Sequence, residues 1–566
     1  MPRTLLLLSI GLVIFASSQA HAVIPETVKV DSGQLQGTVQ EGVRVFKGVP
    51  FAAPPVGPLR WREPQPVAKW EGVRKADKYG NACMQNNAKQ RFPVNSAVDL
   101  PDSPGMSEDC LYLNVWTNAN NASAKMPVMF WIYGGAYTEG AGHMPAQDGV
   151  TLAKKGAVVV TFNYRLGPFG FYSHPELDAE SGHNASGNQA MLDTIAALKW
   201  VQANIANFGG DPKNVTVFGE SAGAVMSAVV VGSPLGKGLI NRAISESGAY
   251  SGLSVARMPT RQQIYNPAPR GGGGRPGGGG GGGAAAGGER PGGPAAAPPA
   301  PLPTMLAELR ALPAEDVQRR MRGQGMIVDG YVVPEDFNLT FAAGRQNAVD
   351  VLVGSNKDEG GFQGPPRPIT LAQFEQQARQ TAGPGAWGDL AEAFLKASGA
   401  KTDEEATAAS GNAFRDGIHY HERLYADQMA RTGKKAWLYF FTKGAQPAPD
   451  QRAQGAVHAG EIKYVFNTLS NPRIYPDNSD PAVVGKDPAD LKVADEMSSY
   501  WVNFARTGDP NGKGLPPWPQ YKNKETGEAR VIGPAATPPS LALMAVYDKQ
   551  YEKNILTPLK TTSATK

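Results

Sequence analysis

Cysteine is scarce: two in 566 residues cannot staple a scaffold together, and with no histidine beside either of them they are too few to hold a metal. Charge of one sign is scarce as well. Lys and Arg number 55 against 51 Asp and Glu, a formal net charge of +4, and no cluster of basic residues interleaved with aromatics supplies the footprint of a nucleic-acid binder. Past the first residues no apolar run reaches the roughly 20 residues that a membrane span needs. What remains is a globular protein, and 41% hydrophobic with 19% charged residues is ordinary for one. Length alone suggests about two to four domains, a soft prior that large α/β enzymes exceed as single units.

The one long apolar run is at the start. Leu5 to Ala16 follows Arg3 and leads into Ala20-His21-Ala22, the small-x-small form of a signal-peptidase site. Residues 1–22 are therefore expected to be a cleaved leader, with the mature chain starting at Val23 and the protein secreted or periplasmic. Export into an oxidising space makes a single Cys83–Cys110 disulfide the natural expectation, closing a loop rich in Asn, Pro and Asp.

Residues 128–133, 157–162, 215–218 and 349–353 are β-branched or aromatic runs that are apolar on both faces, as strands inside a mostly parallel sheet are. A further strand is expected at Trp437-Leu438-Tyr439-Phe440-Phe441. Between the second and third runs, Leu192, Ile195, Ala196, Leu198, Val201 and Ile205 recur at helical spacing over Met191 to Asn207. Strand, helix, strand is the βαβ unit, so the fold class is α/β. From about 266 to 303 the chain is almost all Gly, Pro and Ala, too little apolar surface to offset its ordering entropy, and it is expected to be a disordered insert within one domain at 23–566.

Immediately after the strand ending at Phe218 stands Gly219-Glu220-Ser221-Ala222-Gly223, then a helix of small residues. That is the strand, turn, helix context of a nucleophile elbow, with Ser221 as nucleophile. A serine hydroxyl needs a base, and the base needs a third group to hold it. On this fold the order is Ser, acid, His. Only His419, His421 and His458 follow the insert. His458 has the small neighbours Ala456, Ala459 and Gly460, whereas His419 and His421 fall in a charged helical stretch and are expected at the surface or behind the site. The acid should follow the strand 349–353, where Asp358 and Glu359 are equally eligible by position. Gly134, Gly135 and Ala136 end another strand and, with Ala222, offer backbone N–H groups to an oxyanion.

These segments resemble the type-B carboxylesterase family, which includes para-nitrobenzyl esterases, cholinesterases and some lipases. The likeness is carried by Phe46-Lys47-Gly48-Val49-Pro50-Phe51-Ala52, Ser107-Glu108-Asp109-Cys110-Leu111-Tyr112-Leu113-Asn114-Val115, Asn163-Tyr164-Arg165-Leu166-Gly167, the elbow, and Asp358-Glu359-Gly360. The resemblance implies an α/β-hydrolase fold, a mostly parallel sheet flanked by helices. It implies hydrolysis of small-molecule carboxylic esters with no cofactor or metal, by Ser221, Glu359 as the acid, and His458. It further implies oxyanion donors at Gly135, Ala136 and Ala222, support from Gly134, Glu220 and Ser247, and a disulfide between Cys83 and Cys110. Three departures stand out. Ala136 replaces a common third glycine, the span from Met84 to Asp109 lacks the tryptophan with which cholinesterases hold an ammonium, and the insert stands where relatives have a helical segment near the entrance. Choline esters are thus not expected as substrates. A lipase, or a non-catalytic adhesion protein on the same scaffold, is the alternative; an intact Ser, Glu and His argues against the second.

Overall fold

The computed structural model describes residues 24–85, 104–250, 257–265, 302–383, 385–446, 455–470 and 481–564. The expected leader lies outside them, as does the expected insert apart from residues 302 and 303. At the centre is a sheet of ten strands: β1 (Thr38–Gln40), β2 (Val43–Pro50), β3 (Tyr112–Thr117), β4 (Met126–Ile132), β5 (Val158–Phe162), β6 (Gly210–Glu220), β7 (Arg242–Glu246), β8 (Asp350–Asn356), β9 (Ala436–Phe441) and β10 (Arg530–Ile532). Their order across the sheet is β1, β2, β3, β5, β4, β6, β7, β8, β9, β10. The flank from β1 to β5 is antiparallel, and every pairing from β5 and β4 onward to β10 is parallel.

Residue choice explains the parallel half. Every side chain of β5 and β9 is buried, as when helices cover both faces. The covering helices include α1 (Gln189–Asn204), α2 (Ala222–Gly232), α3 (Asp403–Arg431) and α4 (Pro488–Thr507). α1 stops three residues short of the expected end, because a 3-10 turn at Ile205–Phe208 and Gly209 at φ 80° close it. α3 opens on a capping box between Thr402 and Glu405, and α4 is capped by the Asp487 side chain and ended by Gly508 at φ 75°. α2 is buried throughout, which its run of Ala, Gly, Val, Met and Ser permits.

Register decides where the loops emerge. Gly219 of β6 pairs with Ile132, Glu220 with Glu246, Glu246 with Gly354, and Asn356 with Phe441. The parallel strands therefore release their C-terminal loops side by side along one sheet edge, where open α/β sheets bind ligands. Among the described residues no helix is long and apolar enough to cross a membrane.

Cys83 and Cys110 are bridged, with Cα atoms 5.0 Å apart and a sequence separation of 27. By the chain-entropy estimate the bridge contributes about 3 to 4 kcal/mol. A Cys83→Ser, Cys110→Ser double variant should lose about that much in denaturant unfolding, and a midpoint equal to that of the oxidised parent would remove the bridge from the stability account.

Candidate active site

β6 ends at Glu220 and α2 begins at Ala222, so one residue reverses the chain. Ser221 does so at φ 54° and ψ −122°, a backbone region that costs a residue with a Cβ about 1–3 kcal/mol. Its amide donates to Glu246 O at 2.8 Å, anchoring the bend on β7. The two flanking glycines are required sterically. A Cβ at Gly223 would stand 1.9 Å from Ile132 O, and one at Gly219 would stand 2.6 Å from Gly223 O.

The loop after β4 leans on this bend. A Cβ at Gly134 would lie 3.1 Å from Ser221 Cβ and 2.7 Å from Glu220 Oε2, so only glycine lets the loop come so close. Gly135 follows at φ 102° and Ala136 at φ 53°, the latter in a left-handed conformation where glycine is the usual occupant. Among the described residues the amides of Gly135, Ala136 and Ala222 donate to no other group. Three such donors around a buried serine suit a developing negative oxygen.

His458 comes from the loop after β9 and Glu359 from the loop after β8. The His458 Nδ1 lies 2.7 Å from Glu359 Oε2, while Glu359 Oε1 accepts from Ser247 Oγ at 2.6 Å and from the Asn356 amide at 2.8 Å. Glu359 is fully buried, and both its oxygens are in use. Asp358, equally eligible by position, is turned away. Its amide donates to Ala456 O and its Oδ2 accepts from the Ala456 amide, each at 2.9 Å, which fastens the strand-end loop to the histidine loop. On the other ring nitrogen, Nε2 is 3.1 Å from Glu220 Oε1, the residue preceding Ser221.

A model of the carboxylesterase family matches residues 25–268 and 305–542, the two stretches on either side of the Gly, Pro and Ala-rich segment. The chain belongs to that family. It is 35% identical over 512 residues to a fumonisin B1 esterase of Sphingopyxis macrogoltabida, covering 90% of this chain and 87% of that one. With the para-nitrobenzyl esterase of Bacillus subtilis (strain 168) it shares 32% over 518 residues, 90% of this chain and 94% of the other. A solved PNB esterase superposes with a TM-score of 0.68 at 29% identity, covering 89% of this chain and 95% of its own. A Geobacillus stearothermophilus carboxylesterase gives 0.66 at 30%, covering 90% and 96%. The fold is accordingly the α/β-hydrolase fold, and the protein is a serine hydrolase acting on carboxylic esters.

This carboxylesterase surrounds one imidazole with carboxylates. Burial alone would lower the pKa of His458, but Glu220 and Glu359 outweigh it and carry the ring up to about 10. Glu220 is itself pushed up to about 7 by burial, partly offset by His458. Glu461, buried three residues past the histidine, is raised to about 8 by burial and by Glu220 and Glu359. A ring with a raised pKa stays protonated to higher pH, so turnover that needs it neutral is lost as pH falls through that value. Glu220→Gln removes the first of the two attractions. The acid limb of kcat/KM should then move to lower pH by about one to three units. A limb that stays in place would mean that Glu220 does not set the protonation of His458.

Several groups went unnoticed in the sequence. Asn356 Nδ2 donates to Val457 O at 2.8 Å and also to Glu461, so the last residue of β8 grips the chain on both sides of His458. Glu246 accepts from Trp501 Nε1 at 2.8 Å, and Glu422 accepts from Ser245 Oγ and the Gly248 amide, both at 2.7 Å. Only Glu461 had a local signal, being in the same short turn as His458. His419 and His421 are buried, not at the surface. His419 Nδ1 is 2.9 Å from Ser355 Oγ, and burial, with Arg423 and Arg415 nearby, pushes that ring down to about 3.

Proposed function

We propose that Ser221 attacks the ester carbonyl while His458 takes its proton, that Glu359 holds the imidazole and stabilises its charged form, and that the amides of Gly135, Ala136 and Ala222 receive the oxyanion. Reprotonation by His458 releases the alcohol, and water repeats the sequence on the acyl-enzyme. The observation that carries this reading is the 2.7 Å contact of His458 Nδ1 with a buried carboxylate, beside a serine held on a strained bend. With Nδ1 as the donor to Glu359, Nε2 is the basic nitrogen, and it lies on the elbow side of the ring next to Glu220. A fluorophosphonate should label Ser221 alone, and para-nitrophenyl esters should give a burst of nitrophenol. Labelling of a different serine, or full activity in His458→Ala, would refute the assignment. The same reading includes an exported chain. The mature protein recovered from outside the cytoplasm should begin at Val23, and recovery of intact chain starting at Met1 would count against export.

A further inference from the structure

The loop that follows β7 carries more strain than its neighbours. Ser247 stands at φ 59° and Ala249 at φ 50°, left-handed conformations that a residue with a Cβ keeps only where its surroundings hold it there. Gly248 between them packs on the elbow: a Cβ there would stand 2.6 Å from Ser221 O and 2.5 Å from Ala224 Cβ. The same loop presents Ser247 Oγ to Glu359 Oε1 at 2.6 Å. A shift of this loop therefore moves the support of the acid and the backing of the nucleophile together.

What holds the loop is one oxygen on α3. Glu422 is fully buried, and its Oε1 accepts from Ser245 Oγ at 2.7 Å, from the Gly248 amide at 2.7 Å and from the Ala249 amide at 3.0 Å, donors on both sides of Ser247. One turn earlier, on the same face of α3, His419 Nδ1 lies 2.9 Å from Ser355 Oγ of β8, the strand that leads to Glu359. A single helix face thus anchors the loop bearing Ser247 and the strand bearing the acid, and the span between the two anchors sets how far apart Ser247 and Glu359 stand. Resting on the triad reading above, we propose that Glu422 is a positioning residue for ester hydrolysis: it fixes residues 245–249 from α3, so that Ser247 holds Glu359 in the orientation that aligns His458. Burial pushes the Glu422 carboxyl up to about 8, against the pull of its three donors, so the group is protonated at neutral pH. The loop accordingly needs an oxygen at that reach, not a charge.

Reach and charge are separable. On para-nitrophenyl butanoate, Glu422→Asp, which withdraws the oxygen by one methylene, should lower kcat about tenfold to a hundredfold. KM should stay within about twofold, because the loss is one of transition-state alignment. Glu422→Gln keeps the reach without the charge and should restore kcat to within about threefold of wild type. In a Ser247→Ala background Glu422→Asp should cost no more than about another twofold, since its effect passes through Ser247. If Glu422→Asp does not fold, Ser245→Ala takes its place. It removes one donor and leaves the carboxyl, and it should lower kcat about threefold in the parent and not at all in the Ser247→Ala background. Equal losses for Glu422→Gln and Glu422→Asp, an unchanged kcat, or losses that multiply in full with Ser247→Ala overturn the assignment. Folded wild type in which fluorophosphonate leaves Ser221 unlabelled overturns the esterase reading instead, so the two failures are distinct.

Discussion

With Ser221 replaced by alanine, kcat on a para-nitrophenyl ester should fall about a millionfold while the thermal midpoint stays where it was. The rate effect follows from removing the only atom that the proposed mechanism bonds to the acyl group. The stability expectation follows from the bend itself. Ser221 is fixed by its backbone, through the hydrogen bond that its amide donates to Glu246 O, and alanine keeps both the amide and the Cβ. The strain at φ 54° is thus the same in both chains. Activity should not vanish. Binding and the amides of Gly135, Ala136 and Ala222 would persist, and such a remnant typically retains about 10³ to 10⁴ over the uncatalysed rate. A loss smaller than about a hundredfold in folded protein would move the nucleophile elsewhere.

The parts of this site that were legible in sequence are those where sterics leave no choice. Gly219 and Gly223 are dictated by distances of 2.6 and 1.9 Å, so the elbow announces itself in five residues. Strands buried on both faces, such as β5 and β9, likewise write themselves as unbroken apolar runs. β7 does not, although it lies mid-sheet. Its Arg242, Ser245 and Glu246 look like surface residues, yet each has a partner distant in sequence: Ala505 O for Arg242, Glu422 for Ser245, Trp501 for Glu246. For His419 and His421, surface and interior are both open in the sequence for the same reason, since the charges flanking them are ones that the fold buries, as when Arg423 reaches Gly527 O. Asp358 and Glu359 could not be told apart locally, and the family resemblance favoured Glu359. The physical difference is which way each carboxylate turns, and that is set by Ala456 on one side and Ser247 on the other.

That turn makes Glu359→Gln the sharper test of the two. The carboxylate accepts three hydrogen bonds, from His458 on Oε2 and from Ser247 and the Asn356 amide on Oε1. Glutamine offers one oxygen and one NH2. The Asn356 amide is an obligatory donor, so the glutamine oxygen must remain there and the NH2 must face His458. Nδ1 can then only accept, which places the ring proton on Nε2, where it cannot take another from Ser221. The geometry survives while the tautomer is wrong, and a change of this kind lowers kcat by about ten-thousandfold. Glu359→Asp keeps an acceptor-only carboxylate but shortens the reach, so it should lose far less. Asp358→Asn, which alters the loop clamp and not the imidazole, should leave the pH dependence unmoved even if stability drops. If Glu359→Gln retained activity within tenfold of wild type, His458 would not need its acid partner, and the roles assigned to both residues would fail together.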